Sequence, residues 1–117
     1  MDLKKYQDWT LSVAVYPGAG TRTFPEVLYL TLGLASEAGE VAGKIKKIVR
    51  GDRIDPESYV SELSDVLWYL ARSCDAAGIT LEDLADYNVD KLESRKQEGT
   101  IQGEDTKDGN RIITNNT

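Results

Sequence analysis

The chain contains no histidine, a single cysteine and no long run of apolar residues. Because nitrogen and sulfur ligands are almost absent, any metal site must be built from oxygen, which suits Mg²⁺ or Mn²⁺ rather than zinc. The lone Cys74 cannot form an internal disulfide and is interpreted as a small buried hydrophobe. Since neither an apolar run nor a signal segment is recognisable, we expect a soluble cytoplasmic protein with no membrane partner.

Basic residues are fewer than acidic ones: the chain has 14 lysines and arginines and 20 aspartates and glutamates, which gives a net charge of −6. Phosphate backbones select basic surfaces, so this balance argues against a nucleic-acid polymer as the partner. It does not argue against a nucleotide, because a bound divalent ion can invert the local field. A chain of 117 residues with 40% hydrophobic content is one small domain, and we expect it to complete its core by homo-oligomerisation.

Helical periodicity runs through most of the chain, and no β period is sustained anywhere. Pro25 and Pro56 suit the first turns of helices, and glycines follow the ends of the last three. The pattern predicts four helices, over residues 2–14, 25–49, 56–77 and 81–98. We therefore expect an all-α, four-helix-bundle-like domain over residues 1–99, followed by a polar tail or lid over residues 100–117.

Apolar stripes predict which faces of the two long helices form the core. The stripe of the second helix consists of Val27, Thr31, Leu34, Ala38, Val41, Ile45 and Ile48. The stripe of the third helix consists of Tyr59, Leu63, Val66, Leu67, Leu70 and Cys74.

Two acidic pairs flank these stripes, one on each long helix. A spacing of three places both carboxylates of a pair on one helix face. Carboxylates on facing helices of a bundle are a common way for such folds to hold divalent ions. The candidate metal ligands are therefore Glu37, Glu40, Glu62 and Asp65.

Surface charge is the alternative explanation of these pairs, since roughly three such pairs are expected by chance at this density of acidic residues. On spacing alone, surface charge is the favoured interpretation. Gly39 and Gly43 shift the balance, because each costs about 1 kcal/mol inside a helix relative to alanine. We expect close approach of a helix or a ligand beside them, with tight helix packing as the simpler reason.

Basic and amide side chains provide candidates for binding phosphate. Asn88, Lys91 and Arg95 share one face of the fourth helix and can donate to phosphate oxygens, although the same stripe is also compatible with a solvated surface. Lys44 and Lys47 on the second helix are weaker candidates for the same role.

The two tryptophans are candidates for contacting a base. Trp9 could stack on a base for about 1–3 kcal/mol, with Tyr6 and Gln7 lining the same pocket. Core packing is nevertheless the favoured interpretation for both Trp9 and Trp68.

Three segments are informative when taken together: Leu34-Ala-Ser-Glu37-Ala-Gly-Glu40-Val, Glu62-Leu-Ser-Asp65-Val-Leu-Trp-Tyr-Leu70 and Lys91-Leu-Glu-Ser-Arg95. They resemble the MazG family, which belongs to the all-α nucleoside triphosphate pyrophosphohydrolases. The resemblance covers about residues 25 to 111. It implies that the two acidic pairs hold Mg²⁺, with Mn²⁺ as a substitute, and that Lys91 and Arg95 bind phosphate. Members are dimers, or tetramers built from dimers.

The activity implied by this resemblance is cleavage of a nucleotide between its α and β phosphates, which yields a monophosphate and pyrophosphate. We expect Mg²⁺-dependent hydrolysis of canonical or modified (deoxy)nucleoside triphosphates as nucleotide-pool sanitation. Glu37 or Glu40 would accept the proton of the attacking water, and Lys91 and Arg95 would stabilise the leaving pyrophosphate.

Ser36 and Ser61 stand where many family members carry an additional acid, so the number of metal ions stays open. Two alternatives also stay open. One is a phosphoribosyl-ATP pyrophosphohydrolase, and the other is a non-catalytic helical dimerisation or regulatory module.

Overall fold

The computed structural model describes residues 1–100, which contain α-helices and a short 3₁₀ turn but no strand. The helices are α1 (Leu3–Thr10), α2 (Phe24–Val49), α3 (Pro56–Ala77) and α4 (Leu81–Glu98). The all-α prediction is confirmed, and the bounds of the three long helices agree with the predicted ones to within one residue. The predicted tail or lid lies outside the described residues, apart from Thr100. Among the described helices, none is long and apolar enough to cross a lipid bilayer.

The chain divides into two compact units. Unit 1, Met1–Glu82, contains α1, α2, α3 and the first two residues of α4. Unit 2 begins at Asp83 and contains the remainder of α4, where Lys96 forms an ion pair with Glu93.

The first helix is shorter than the sequence predicts. Asp2 caps it by accepting a hydrogen bond from the Lys5 N–H at 2.8 Å, but α1 ends at Thr10 and continues only as a 3₁₀ turn, Leu11–Val13. The hydroxyl of Thr10 donates to the Gln7 carbonyl at 2.6 Å, and the hydroxyl of Ser12 donates to the Trp9 carbonyl. Such side-chain bonds to the backbone compete with helical hydrogen bonds, which accounts for the early end.

Helices α2 and α3 form the main helix pair of unit 1 and are joined by the loop over residues 50–55. The facing positions run in opposite directions along the two helices: Glu26 with Arg72, Gly33 with Tyr69, and Glu37 with Asp65. The pair is therefore antiparallel. The start of α3 follows from its sequence, because Asp55 caps it by accepting from the Glu57 N–H at 3.1 Å.

The buried face of α2 lies about one position away from the predicted apolar stripe. Its buried or half-buried members include Glu26, Leu30, Gly33, Glu37, Val41 and Lys44. Within one chain the predicted stripe is half-buried at Leu34 and Val41 but wrong at its exposed members, which are Val27, Thr31, Ala38, Ile45 and Ile48. The reason is that the buried face carries glutamates, a glycine and a lysine, which a search for apolar periodicity passes over.

The same error affects α3, where the predicted core residues Leu63 and Leu67 are exposed while Arg72 is almost fully buried. Cys74 is buried, as expected. Homo-oligomerisation, which would cover the exposed apolar side chains, stays a prediction.

A buried polar network fastens the loop before α2 to the helix pair. The carboxylate of Glu26 accepts from the Tyr16 hydroxyl at 2.6 Å and from the backbone N–H groups of Gly20 and Arg22 at 2.7 and 2.8 Å. Its partner across the interface is the Arg72 guanidinium at 3.6 Å. Arg72 also donates to Tyr16 at 3.2 Å. The loop is thereby held to α2 and α3 by one charged centre.

This network shifts the pKa values of its members. Burial raises the pKa of Tyr16 to about 12, assisted by the hydrogen bond that its hydroxyl donates to Glu26. Burial also raises the pKa of Glu26, but the bond from Tyr16, the two backbone N–H groups and the Arg72 charge together bring it below its ordinary value. Glu26 is therefore held as a carboxylate inside the protein.

Candidate metal centre

Three carboxylates converge between α2 and α3. One oxygen from each of Glu37, Glu62 and Asp65 lies within 4.8 Å of the other two. Glu62 and Asp65 share a face of α3 because they are three residues apart, and Glu37 faces them from the antiparallel helix. An all-carboxylate set suits a hard divalent cation such as Mg²⁺, which takes one or two carboxylates together with water or phosphate oxygens.

The electrostatics of Glu37 are those of a crowded acid. Burial raises the pKa of Glu37, the adjacent Asp65 carboxyl raises it further, and the charges of Glu62 and Glu40 add to the effect. Repulsion within the group therefore disfavours full ionisation. A divalent cation among the oxygens would remove that penalty.

Glu40 lies apart from the three converging carboxylates. It is exposed on α2, one turn beyond Glu37, and its charge acts on Glu37 at a distance. Lys44 is half-buried and Lys47 is exposed further along the same helix. The metal role predicted for Glu40 and the phosphate roles predicted for the two lysines stay predictions.

The residues predicted to bind phosphate on the fourth helix lie in unit 2. Asn88, Lys91 and Arg95 are all exposed, and the Lys91 ammonium lies 5.9 Å from the centroid of the Tyr87 ring. Their contact with phosphate stays a prediction.

The two tryptophans differ in environment. Trp68 is half-buried and makes edge contacts with the rings of Tyr16 and Tyr69, so its core assignment is confirmed. Core packing is wrong for Trp9, which is 50% exposed. Its ring lies 6.0 Å from that of Tyr6, and α1 therefore presents two neighbouring aromatic rings.

Tyr6, but not Trp9, lines an open cavity of about 760 Å³, whose lining also includes Leu3, Leu67 and Thr80. Burial raises the pKa of Tyr6 and the Asp65 charge raises it further, so this cavity-lining residue is within electrostatic range of one of the carboxylates.

Gln7 does not line this cavity, contrary to expectation. It is buried and holds α1 to the start of α4, donating to the Ile79 carbonyl at 2.9 Å and accepting from the Leu81 N–H at 2.7 Å.

A tyrosine pair lies next to the carboxylates, and no role in the site was predicted for either ring from the sequence. Tyr69 lies one turn from Asp65 and packs on Gly33, where an added Cβ would overlap the ring. Tyr29, one turn before Gly33, lies 6.5 Å from Tyr69 between ring centroids. The spacing of four along both helices is the signal that relates these residues to the acids.

The glycines singled out from the sequence are not the closely packed ones. An added Cβ at Gly39 or Gly43 would meet nothing within 4 Å in the described part of the chain. Close helix approach occurs at Gly33 instead.

An all-α chain with converging carboxylates on facing helices is a candidate for a metal-dependent hydrolase. The sequence model of a protein family, the MazG nucleotide pyrophosphohydrolase domain, matches residues 26–100. The Gene 37 protein of Mycobacterium phage L5 is 39% identical over 109 residues, covering 88% of this chain and 96% of that protein. No solved structure matches the chain. The chain belongs to the MazG family of nucleotide pyrophosphohydrolases.

Proposed function

We propose that the protein hydrolyses canonical or modified (deoxy)nucleoside triphosphates to a monophosphate and pyrophosphate, with Mg²⁺ as the cofactor. The observation that carries this proposal is the convergence of Glu37, Glu62 and Asp65 within 4.8 Å in a chain of the MazG family. The donor set supports Mg²⁺ over softer metals because it contains oxygen alone.

In this proposal the three converging carboxylates hold the ion, and Glu40 is the nearest additional acid on α2. The ion would supply charge neutralisation for the triphosphate and would acidify a water molecule. Glu37 and Glu40 are the candidates to take the proton of the attacking water.

The remaining residues bind and orient the substrate. Lys91 and Arg95, with Asn88, would donate to the phosphates and stabilise charge on the pyrophosphate as the bond between the α and β phosphates breaks. Lys44 and Lys47 are weaker candidates for the same contacts.

The base has a candidate platform in unit 1. Tyr6 lines a cavity large enough for a nucleoside and has the Trp9 ring as its neighbour, and Tyr6 is close enough to Asp65 to respond to its charge. Stacking on Trp9 would hold the base while the phosphates reach the carboxylates.

We also infer that the working unit is a homodimer or a tetramer built from dimers. The exposed apolar side chains along α2 and α3, such as Val27, Ile45 and Leu63, support this because a second copy would remove them from water.

The test is a panel of ribo- and deoxyribonucleoside triphosphates, with modified bases and phosphoribosyl-ATP included, incubated with Mg²⁺ while monophosphate and pyrophosphate are both measured. We expect equal amounts of the two products. Glu62→Gln should lose turnover, whereas Glu57→Gln, an exposed acid on the same helix, should keep it.

Three results would count against the proposal. Release of orthophosphate and a diphosphate would move the cleaved bond. Turnover of phosphoribosyl-ATP alone would favour that activity. Absence of turnover together with no Mg²⁺-dependent nucleotide binding in calorimetry would favour a non-catalytic module.

A further inference from the structure

The ring of Tyr69 occupies a space that only a glycine on α2 leaves open. A Cβ built on Gly33 would come within 2.6 Å of Tyr69 Cδ1, which is closer than two carbon atoms that are not bonded to each other can approach. The aromatic ring therefore lies directly on the backbone of the facing helix. At this level the distance between α2 and α3 is set by the thickness of one ring.

Tyr69 also has an aromatic neighbour on α2. Tyr29 lies against it, and the Tyr29 ring stacks on Tyr16 at 4.9 Å with an interplanar angle of 8°. Tyr16 is fixed in turn by its hydrogen bond to the buried Glu26 carboxylate. The Tyr69 ring thus contacts Gly33 and is linked through Tyr29 and Tyr16 to the buried Glu26 carboxylate.

The carboxylates are the next side chains along both helices. Glu37 follows Gly33 by one turn on α2, and Asp65 precedes Tyr69 by one turn on α3. Because the helices are antiparallel, these two acids lie side by side immediately beyond the ring. The charges of Glu37 and Asp65 contribute to raising the pKa of Tyr69, after burial and the Tyr29 hydroxyl, which places the three groups in one electrostatic environment.

We propose that Tyr69 is a positioning residue of the metal centre: seated on Gly33, its ring sets the helix spacing at which Glu37 and Asp65 reach one cation. The inference rests on the proposed metal site. Ion binding tolerates little error in ligand position, so a change of a fraction of an ångström at the ring is transmitted to the carboxylates one turn away.

The test measures Mn²⁺ affinity of the full chain without nucleotide, by electron paramagnetic resonance of the free ion, with circular dichroism to verify the fold. Gly33→Ala should weaken Mn²⁺ binding by about 10-fold or more, a typical loss when a group that orients metal ligands is disturbed. Gly43→Ala is the matched control, because its added methyl meets nothing within 4 Å in the described residues, and it should bind as the unmodified chain does.

Changes at Tyr69 separate the ring from its hydroxyl. Tyr69→Phe keeps the ring and should keep Mn²⁺ affinity within about threefold, whereas Tyr69→Leu should weaken it by a factor similar to that of Gly33→Ala. The double variant Gly33→Ala/Tyr69→Leu should bind more tightly than Gly33→Ala, because the new methyl has room. A general loss of packing would lower the melting temperature of Gly33→Ala, Tyr69→Leu and the double variant. It would not restore Mn²⁺ affinity in the double variant.

Folded Gly33→Ala with the Mn²⁺ affinity of Gly43→Ala would overturn the inference. If Gly33→Ala does not fold, unchanged affinity in Tyr69→Leu would overturn it in the same way. Absence of Mn²⁺ binding by the unmodified chain would instead remove the proposed metal site, and this inference with it.

Discussion

Arg72 on α3 lies 3.6 Å from Glu26 on α2, and both side chains are at most 1% exposed. A buried ion pair is tolerated only when its remaining donors and acceptors are satisfied, and here Tyr16, two backbone N–H groups and Asp75 complete it. The pair lies on the same helix faces as the three converging carboxylates. It fastens the loop before α2 to the helices that carry the acids.

Glu26→Gln should therefore destabilise the protein strongly. The substitution leaves Arg72 buried beside a neutral partner, and breaking such a pair costs about 3–5 kcal/mol, less here because Asp75 remains. Urea unfolding at pH 7 measures the change. Glu98→Gln, an exposed acid at the end of α4, should stay within about 0.5 kcal/mol of the unmodified chain. A loss below about 1 kcal/mol for Glu26→Gln would show that the pair is not a stabilising centre.

Stability should fall in acid because of the same residue. The folded pKa of Glu26 lies below the ordinary value of 4.5, so its contribution is fully present above pH 4.5 and is lost as the pH falls through the folded pKa. Urea midpoints measured between pH 3 and pH 7 should therefore drop less steeply in Glu26→Gln than in the unmodified chain. Parallel curves would contradict the assignment.

Glu37 should act in the opposite direction when no metal is bound. Its folded pKa is raised, so ionisation above the ordinary value of 4.5 costs stability. Glu37→Gln should therefore raise the metal-free melting temperature at pH 8. At low pH it should leave the melting temperature nearly unchanged, because protonated Glu37 and the glutamine that replaces it are both neutral.

The response of Glu37→Gln to Mg²⁺ provides the second half of this prediction. The unmodified chain should gain about 2.7 kcal/mol of stability when Mg²⁺ is present at 100 times its Kd. Glu37→Gln should gain much less under the same conditions. An equal gain in both proteins would remove Glu37 from the metal site.

Glu40→Gln should abolish turnover while preserving helical content. A general base contributes about 10²–10⁴-fold to the rate, and kcat should fall by that order. Because Glu40 lies outside the three converging carboxylates, Mn²⁺ affinity should fall less than in Glu62→Gln. Full activity of Glu40→Gln would exclude it from the mechanism.

Trp9→Ala should raise KM for the nucleotide more than it lowers kcat. A stacking contact of about 1–3 kcal/mol corresponds to roughly 5- to 150-fold in affinity. The half-exposed ring is not part of the core, so the melting temperature should change little. Unchanged KM across the whole nucleotide panel would exclude Trp9 from base binding.

The sequence was informative where a signal is local. The long helices follow from the 3.6-residue period and from Pro25, Pro56 and the glycines, and the pairing of Glu62 with Asp65 follows from their spacing. The buried face of α2 could not be found this way, because Glu26 and Gly33 are buried by contacts with Arg72 and Tyr69 on another helix. The Arg72 charge that balances Glu26, and the Tyr69 ring that fills the space beside Gly33, can be identified only when both helices are considered together.

The account depends on one arrangement: Glu37, Glu62 and Asp65 sharing a divalent ion between α2 and α3. The most direct test is a crystal of the protein soaked in Mn²⁺, with anomalous scattering used to locate the ion. The account predicts a peak at bonding distance from oxygens of all three carboxylates. A peak elsewhere, or none at these carboxylates with the ion in excess, would contradict it.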